Sequence, residues 1–266
     1  MTMSKGEQPI RFDDGAAYER GMGIWSQLVA NEFLDWLALP HGKRWIDVGC
    51  GNGAFTESLI SRCMPHETQA IDQSEDQLDF ARKRKAVGSA VFQQADAMAL
   101  PFDDDRFDAA VMALVIFFVP NPAGGVAEMT RVVRPGGLVA AYAWDIAGGG
   151  LPFEPIRSEL ARMSVKLPMP PQAEVSGLKA LQRVWAASGL ESVETRVISV
   201  QRIFGNFDEF WSTSMLIGGL AETVAAMASS RAELLRWRVR TLMRTNEVGQ
   251  IVCDAKANAV RGLVPM

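Results

Sequence analysis

Three glycines at alternate positions follow a short apolar run in Trp45-Ile46-Asp47-Val48-Gly49-Cys50-Gly51-Asn52-Gly53-Ala54-Phe55. A backbone this free of Cβ atoms, set between a strand and a helix, lets a nucleotide-like ligand lie against the main chain at the helix N-terminus. Carboxylates recur around the turn at the ends of successive strand-like runs. Asp47 stands two residues before the first glycine, Asp72 lies in Ala70-Ile71-Asp72-Gln73-Ser74, and Asp96 lies in Gln94-Ala95-Asp96-Ala97-Met98. An ionised carboxylate is acceptor-only with several lone-pair sites. Asp72 can therefore take both hydroxyls of a ribose and Asp96 can accept from an adenine amino group, with Gln73 and Met98 flanking the ring. Each acid alone also suits a helix cap or a turn. Their joint occurrence at three strand ends points to a ligand.

Two cofactors fit the turn taken by itself. Gly49, Gly51 and Ala54 satisfy the dinucleotide pattern G-x-G-x-x-G/A, with Asp72 about twenty residues beyond where a ribose-binding acid belongs. A carboxylate at Asp47 would repel the pyrophosphate of a dinucleotide. S-adenosylmethionine instead brings an ammonium group, a sulfonium and an adenosine, which three acids at three strand ends would suit.

The elements that must position these residues alternate along the first two-thirds of the chain. A helical lead-in over 18–37 precedes strands expected at 44–48, 68–71, 90–92, 107–114 and 138–143, with helices at 55–62, 75–86 and 125–133 between them. Such alternation implies an α/β fold with a parallel sheet covered on both faces, and ligands of such sheets bind at the carboxyl ends of the strands. Gly148-Gly149-Gly150 and Leu167-Pro168-Met169-Pro170-Pro171 mark an insertion. Helix and strand signals resume at 178–187 and 192–200, a second insertion covers 204–248, and a last strand is expected at 251–260.

Composition narrows the setting. The chain has 266 residues, a formal net charge of −4 and three cysteines without paired spacing. These features disfavour a nucleic-acid partner, a disulfide framework and a zinc site. The polar start and the absence of a long apolar run disfavour a signal peptide and a membrane span, so a cytoplasmic protein is expected. Arg82-Lys83-Arg84-Lys85 reads as a solvated helix end complementing the macrodipole. The arginines between Arg231 and Arg244 read as one side of an amphipathic helix packed on the body.

The segments WIDVGCGNGAF, AIDQSEDQLDFAR, FQQADAMALPFDDDRFDAAV and EMTRVVRPGGLVAAYAWD resemble the class I S-adenosylmethionine-dependent methyltransferases, in particular the type 11 group of small-molecule enzymes. The resemblance covers about residues 18–145. It implies a Rossmann-like, seven-stranded, mostly parallel sheet whose last strand is antiparallel, with helices on both faces. It also implies one domain over 1–266, a cofactor-binding core over 15–146, and insertions 148–190 and 204–248 forming a helical cap. In that family the glycine turn, here Asp47, Gly49, Cys50, Gly51, Asn52 and Gly53, holds the methionine part. Asp72, with Gln73 and Ser74, would hold the ribose, and Asp96 with Ala97 and Met98 would meet the adenine. Ala113 and Leu114 would lie beneath the methyl group, and Tyr18 and Trp25 resemble the N-terminal segment that closes over the cofactor. Phe118, Trp144, Phe207 and Trp211 are the candidates for the acceptor pocket, the last two from an aromatic-rich cap that also holds Phe204, Phe210, Met215 and Leu216.

The reaction this implies is transfer of the sulfonium methyl to a small-molecule oxygen, nitrogen, carbon or sulfur, leaving S-adenosylhomocysteine. Alternatives are an NAD(P)-dependent oxidoreductase and a cofactor-binding regulatory protein without transfer activity. No catalytic base stands out. His41 and His66 both precede strands, at the end of the sheet away from the expected site, while Tyr142 and Asp145 are nearer but also suit a core position and a turn. Asp103-Asp104-Asp105 suits a polar turn better than a metal site, and no metal is expected.

Overall fold

The structure is a computed structural model and describes residues 19–266. Tyr18 lies outside the described residues. A π-helical turn, Glu19–Gly23, leads into helix α1 (Ile24–Leu37). Alternation then runs through β1 (Arg44–Val48), α2 (Ala54–Cys63), β2 (Glu67–Asp72), α3 (Glu75–Arg82), β3 (Ala90–Gln94), β4 (Phe107–Ala113), α4 (Pro122–Val132) and β5 (Val133–Trp144). The second part holds α5 (Glu154–Arg162), α6 (Leu178–Ala187), β6 (Glu191–Phe204), α7 (Phe207–Ser214), α8 (Leu220–Ala225), α9 (Ser229–Leu242), β7 (Arg244–Thr245) and β8 (Ile251–Leu263).

One sheet runs in the order β3-β2-β1-β4-β5-β8-β6, with the two-residue β7 pairing to β8 off this path. The seven-strand path agrees with the sequence expectation, and β7 adds a short eighth strand to it. The first five strands are parallel, while β8 is antiparallel to both β5 and β6. From the β1–β4 junction the order proceeds outward in both directions. Right-handed crossovers therefore put α2 and α3 on one face and α4 on the other, and leave a crevice at the carboxyl ends where the direction reverses. α1 packs with α2, and α6 with α4.

The central strands are buried on both sides. In β1, Trp45, Ile46, Asp47 and Val48 are all fully shielded, as are Ala109 to Met112 in β4 and Val139 to Ala143 in β5. Small alanines on β4 and β5 let the flanking helices approach, and apolar burial of this extent is the main source of stability. Among the described residues no helix is long and apolar enough to cross a membrane.

Candidate functional site at the carboxyl ends of the strands

The crevice opens as a cavity of about 320 Å³. Its floor is the glycine turn. Gly49 and Cys50 both donate their backbone N–H to the Ile71 carbonyl at 2.8 Å, which fastens the turn to the end of β2. Gly49 adopts φ +79°, and a Cβ there would stand 2.5 Å from the Val115 side chain, so this glycine admits the loop that follows β4. Gly51 also has a positive φ, +51°, but nothing lies within 4 Å of where its Cβ would be. That open space, bounded by Gly49, Cys50, Gly51 and Asn52, is room for a ligand to lie on the backbone.

Asp72 forms the next part of the wall. Its Oδ2 accepts the Gly51 N–H at 2.8 Å and its Oδ1 accepts the Ser74 N–H at 2.9 Å. Partial burial pushes its carboxyl above the usual range, and backbone N–H groups of Ser74, Gly51 and Gln73 pull the other way. Each oxygen keeps a further lone pair for a ligand hydroxyl. Gln73, Ser74 and Gln77 continue this wall, followed by Ala95, Asp96 and Ala97 after β3. Asp96 Oδ1 accepts the Met98 N–H at 2.9 Å, as a turn acid does, while the residue still faces the cavity.

Ala113 and Leu114 end β4 at the same cavity, and the Leu114 N–H, at φ +62°, bonds the Tyr142 carbonyl at 2.9 Å. The remaining wall is apolar apart from two hydroxyl-bearing residues. Phe55 comes from α2, Val115, Phe118, Val119 and Pro120 from the loop after β4, Tyr142 from β5 and Ser26 from α1. Tyr142 packs against Phe33 and Phe55 with ring centroids 4.8 and 6.0 Å apart.

Several expected site residues stand elsewhere. Asp47 is fully buried behind the turn and is not part of the cavity wall. Its Oδ2 accepts the Thr56 hydroxyl at 2.7 Å and its Oδ1 has no partner. Burial pushes its carboxyl up to about 7; the Thr56 hydrogen bond opposes this and the Asp72 charge adds to it. Asp47 is therefore set behind the turn rather than on the surface that a ligand would meet. Gly53 caps the start of α2, where a Cβ would stand 3.0 Å from the Ala81 side chain of α3, and Met98 packs on the core. Trp25 is buried with its ring 6.4 Å from Phe204, anchoring α1 to β6. Trp144 is buried in the sheet next to β8. Phe207 and Trp211 face each other at 5.9 Å beneath the Arg236 guanidinium. None of the cap residues Phe204, Phe207, Phe210, Trp211, Met215 and Leu216 lines the cavity. Leu216 and Ile217 instead back the π-helical turn, 3.3 Å from the Gly21 Cβ position.

The basic cluster after α3 also departs from a solvated helix end. Arg84 turns inward, only 11% exposed at the side chain. It donates to the Asn52 carbonyl and to Glu57, both at 2.6 Å, and to Glu19. Asn52 Nδ2 in turn donates to Glu19 at 3.0 Å. The π-helical turn is thereby tied to the glycine turn. His41 and His66 are exposed at the opposite end of the sheet. Asp145 accepts the Gly148 N–H at 3.0 Å, and Asp104 pairs with Arg131 at 2.8 Å.

Wall residues missed from sequence were Ser26, Ala54, Phe55, Ile71, Gln77, Ala95, Val115, Val119 and Pro120. The loop after β4 could have been found from the rule that strand ends carry ligand contacts. Gln77 could have been found from its place on the apolar face of α3. Ser26 had no such signal.

Residues 46–141 match the family model described as a methyltransferase domain. Over these residues, rather more than a third of its length, the chain resembles methyltransferase domains. The chain is 36% identical over 117 residues to 2-methyl-6-phytyl-1,4-hydroquinone methyltransferase 2 of Oryza sativa subsp. japonica, covering 44% of this chain and 34% of that one. It is 33% identical over 147 residues to demethylmenaquinone methyltransferase of Clavibacter sepedonicus, covering 52% and 58%. The chain thus spans between about a third and three fifths of the length of these relatives. Phosphoethanolamine N-methyltransferase 2 of Haemonchus contortus, solved with S-adenosyl-L-methionine, superimposes with a TM-score of 0.55 at 17% identity, over 94% of this chain and 56% of that one. That likeness speaks to the fold. The methyltransferase domain match takes in the glycine turn, Asp72, Asp96 and Phe118, whereas Ser26 lies outside it.

Proposed function

We propose that this chain transfers the methyl group of S-adenosylmethionine to a small-molecule acceptor. The observation that carries this reading is one wall of the cavity. Gly51 with open space above it, the Asp72 carboxylate beside it and Asp96 beyond occur at the ends of β1, β2 and β3 in the order that a methionine tail, a ribose and an adenine require. The methyltransferase domain match favours the same cofactor over a dinucleotide. When bound, the cofactor supplies a sulfonium methyl open to in-line displacement.

In this reading the glycine-turn backbone carries the methionine part, Asp72 accepts from the ribose hydroxyls, and Asp96 with Ala97 meets the adenine. Ala113 and Leu114 lie under the transferable methyl, and Phe55, Phe118 and Val119 exclude water around it. The chain's contribution is alignment and desolvation. No histidine stands near the cavity to take a proton. We place the reaction in the cytoplasm, on the support of three buried, unpaired cysteines. The acceptors named for the relatives differ from one another, so none is carried over.

Calorimetric titration with S-adenosylhomocysteine and with NADPH tests the cofactor. Binding of the first and not the second is expected, and the reverse would sink the reading. Incubation with labelled S-adenosylmethionine and a metabolite extract should then yield a labelled small molecule. Cofactor binding without any labelled product would instead favour a regulatory protein.

A further inference from the structure

Much of the cavity wall is apolar. Among the described residues the charged groups in the wall are Asp72 and Asp96, both on the side given above to ribose and adenine. The rest of the wall includes Phe55, Val115, Phe118, Val119 and Pro120, with Tyr142 from β5. Ser26 interrupts this apolar surface. It lines the cavity, is only 5% exposed, and its hydroxyl has no hydrogen-bond partner among the described residues. A buried hydroxyl left unpaired is costly, and a helical serine has a ready remedy in a carbonyl of the preceding turn, which Ser26 does not use. Such an atom is what a ligand group would satisfy.

Helix geometry gives its position. Ser26 and Phe33 are seven residues apart and share one face of α1, separated by about 10 Å along the axis. Phe33 meets Phe55 at 6.2 Å and Tyr142 at 4.8 Å. Ser26 thus stands two turns nearer the helix start, on the face directed at the same two wall residues. The helix start is held at the carboxyl edge of the sheet by the Asn52–Glu19 contact.

Resting on the transfer reading, we infer that the acceptor is an uncharged, largely apolar molecule bearing a hydroxyl or carbonyl oxygen, and that Ser26 is the residue that recognises that oxygen. A charged acceptor would leave water for a wall whose described charged groups are the two acids assigned to the cofactor. The oxygen instead completes the hydrogen bonding of the only polar side chain that α1 brings to this cavity.

Three near-isosteric probes test it: p-cresol, p-xylene and p-toluate, each titrated into the S-adenosylhomocysteine complex and followed by ligand-observed NMR. p-Cresol should bind roughly tenfold more tightly than p-xylene, as one hydrogen bond to a buried hydroxyl allows, and p-toluate should not bind. Ser26→Ala, which favours the helix and leaves folding intact, should erase the cresol preference without changing S-adenosylhomocysteine affinity. Ser26→Thr, which keeps the hydroxyl, should restore it. The inference is overturned if wild type does not distinguish cresol from xylene, if the preference survives in Ser26→Ala, if toluate binds as tightly as cresol, or if none of the three binds. Loss of S-adenosylhomocysteine affinity in Ser26→Ala would overturn it too, by assigning Ser26 to the cofactor. Failure of wild type to bind S-adenosylhomocysteine at all is a different result, which removes the transfer reading itself.

Discussion

Asp47 and Asp72 end neighbouring strands, yet they do different work because one is sealed behind the glycine turn and the other borders the cavity. Asp72→Ala removes a partly buried carboxylate that holds two backbone N–H groups and, in the proposed reading, the ribose. S-adenosylhomocysteine affinity should fall about thirtyfold, on the order of 2 kcal/mol for a charge-assisted pair, measured by calorimetry; unchanged affinity would place the ribose elsewhere. Asp47 should show itself in stability. Its folded carboxyl sits near 7, above an ordinary 3.8, so the native state binds the extra proton between those values. Its favourable contribution is fully present below about pH 4 and is lost as pH rises through about 7. Asp47→Asn keeps an acceptor for the Thr56 hydroxyl and removes the titration. The variant should match wild type near pH 4 and exceed it at pH 8 by up to about 4 kcal/mol, as read by chemical denaturation at the two pH values; a constant difference would refute the assignment. The types of these acids and their strand-end positions were legible in the sequence. Their directions were not, because β1 is buried on both faces and carries no period-two pattern from which a side could be inferred.

At the scale of elements, the turn and its brace decide whether the cavity exists. Gly49 and Gly51 share a left-handed backbone but differ in surroundings. Gly49→Ala drives a methyl into Val115, and melting should show a loss of about 2 kcal/mol or more from strain and overpacking together. Gly51→Ala meets no protein atom, so stability should fall by only about 1 kcal/mol for the backbone while cofactor affinity falls much further. Equal effects of the two on melting would contradict this division. Arg84 supplies the brace. Arg84→Ala should free Glu19–Gly23 from the glycine turn, seen as faster amide exchange across that segment with α2 unaffected. Local pattern sufficed for β1 and for α6, whose bounds agree with the sequence expectation. It ran α3 on to residue 86, whereas the helix stops at Arg82 and lets Arg84 reach back to Asn52, Glu57 and Glu19. It also started β5 five residues late, since Arg134-Pro135-Gly136-Gly137 carries the signature of a turn but here remains in the strand. In both cases long-range partners override the local signal.

For the molecule as a whole, the informative feature is where the last strand goes. The resemblance to class I methyltransferases implied an antiparallel last strand, but no local feature of residues 251–263 announces an interior strand. β8 inserts between β5 and β6, pairing from Leu138 to Trp144 on one side and from Glu191 to Phe204 on the other. Its alanines Ala255, Ala257 and Ala259 are buried, and Arg261 reaches across to the Trp36 carbonyl at the end of α1. The described wall of the cavity is complete by Tyr142, so a chain ending at residue 250 would keep all those wall residues. If the first half were an independent unit, such a chain would still bind S-adenosylhomocysteine. The strand order argues the opposite. Without β8 the β6 strand loses its sheet partner, β5 gains an open hydrophobic edge, and α1, which carries Ser26 and braces the cavity, loses its contacts to β8 and the seating of β6 beneath it. The truncated chain should show no cooperative thermal transition by circular dichroism and no heat of binding with S-adenosylhomocysteine. A sharp transition with retained affinity would mean that the cofactor half folds on its own, and that the C-terminal strands serve only the acceptor side.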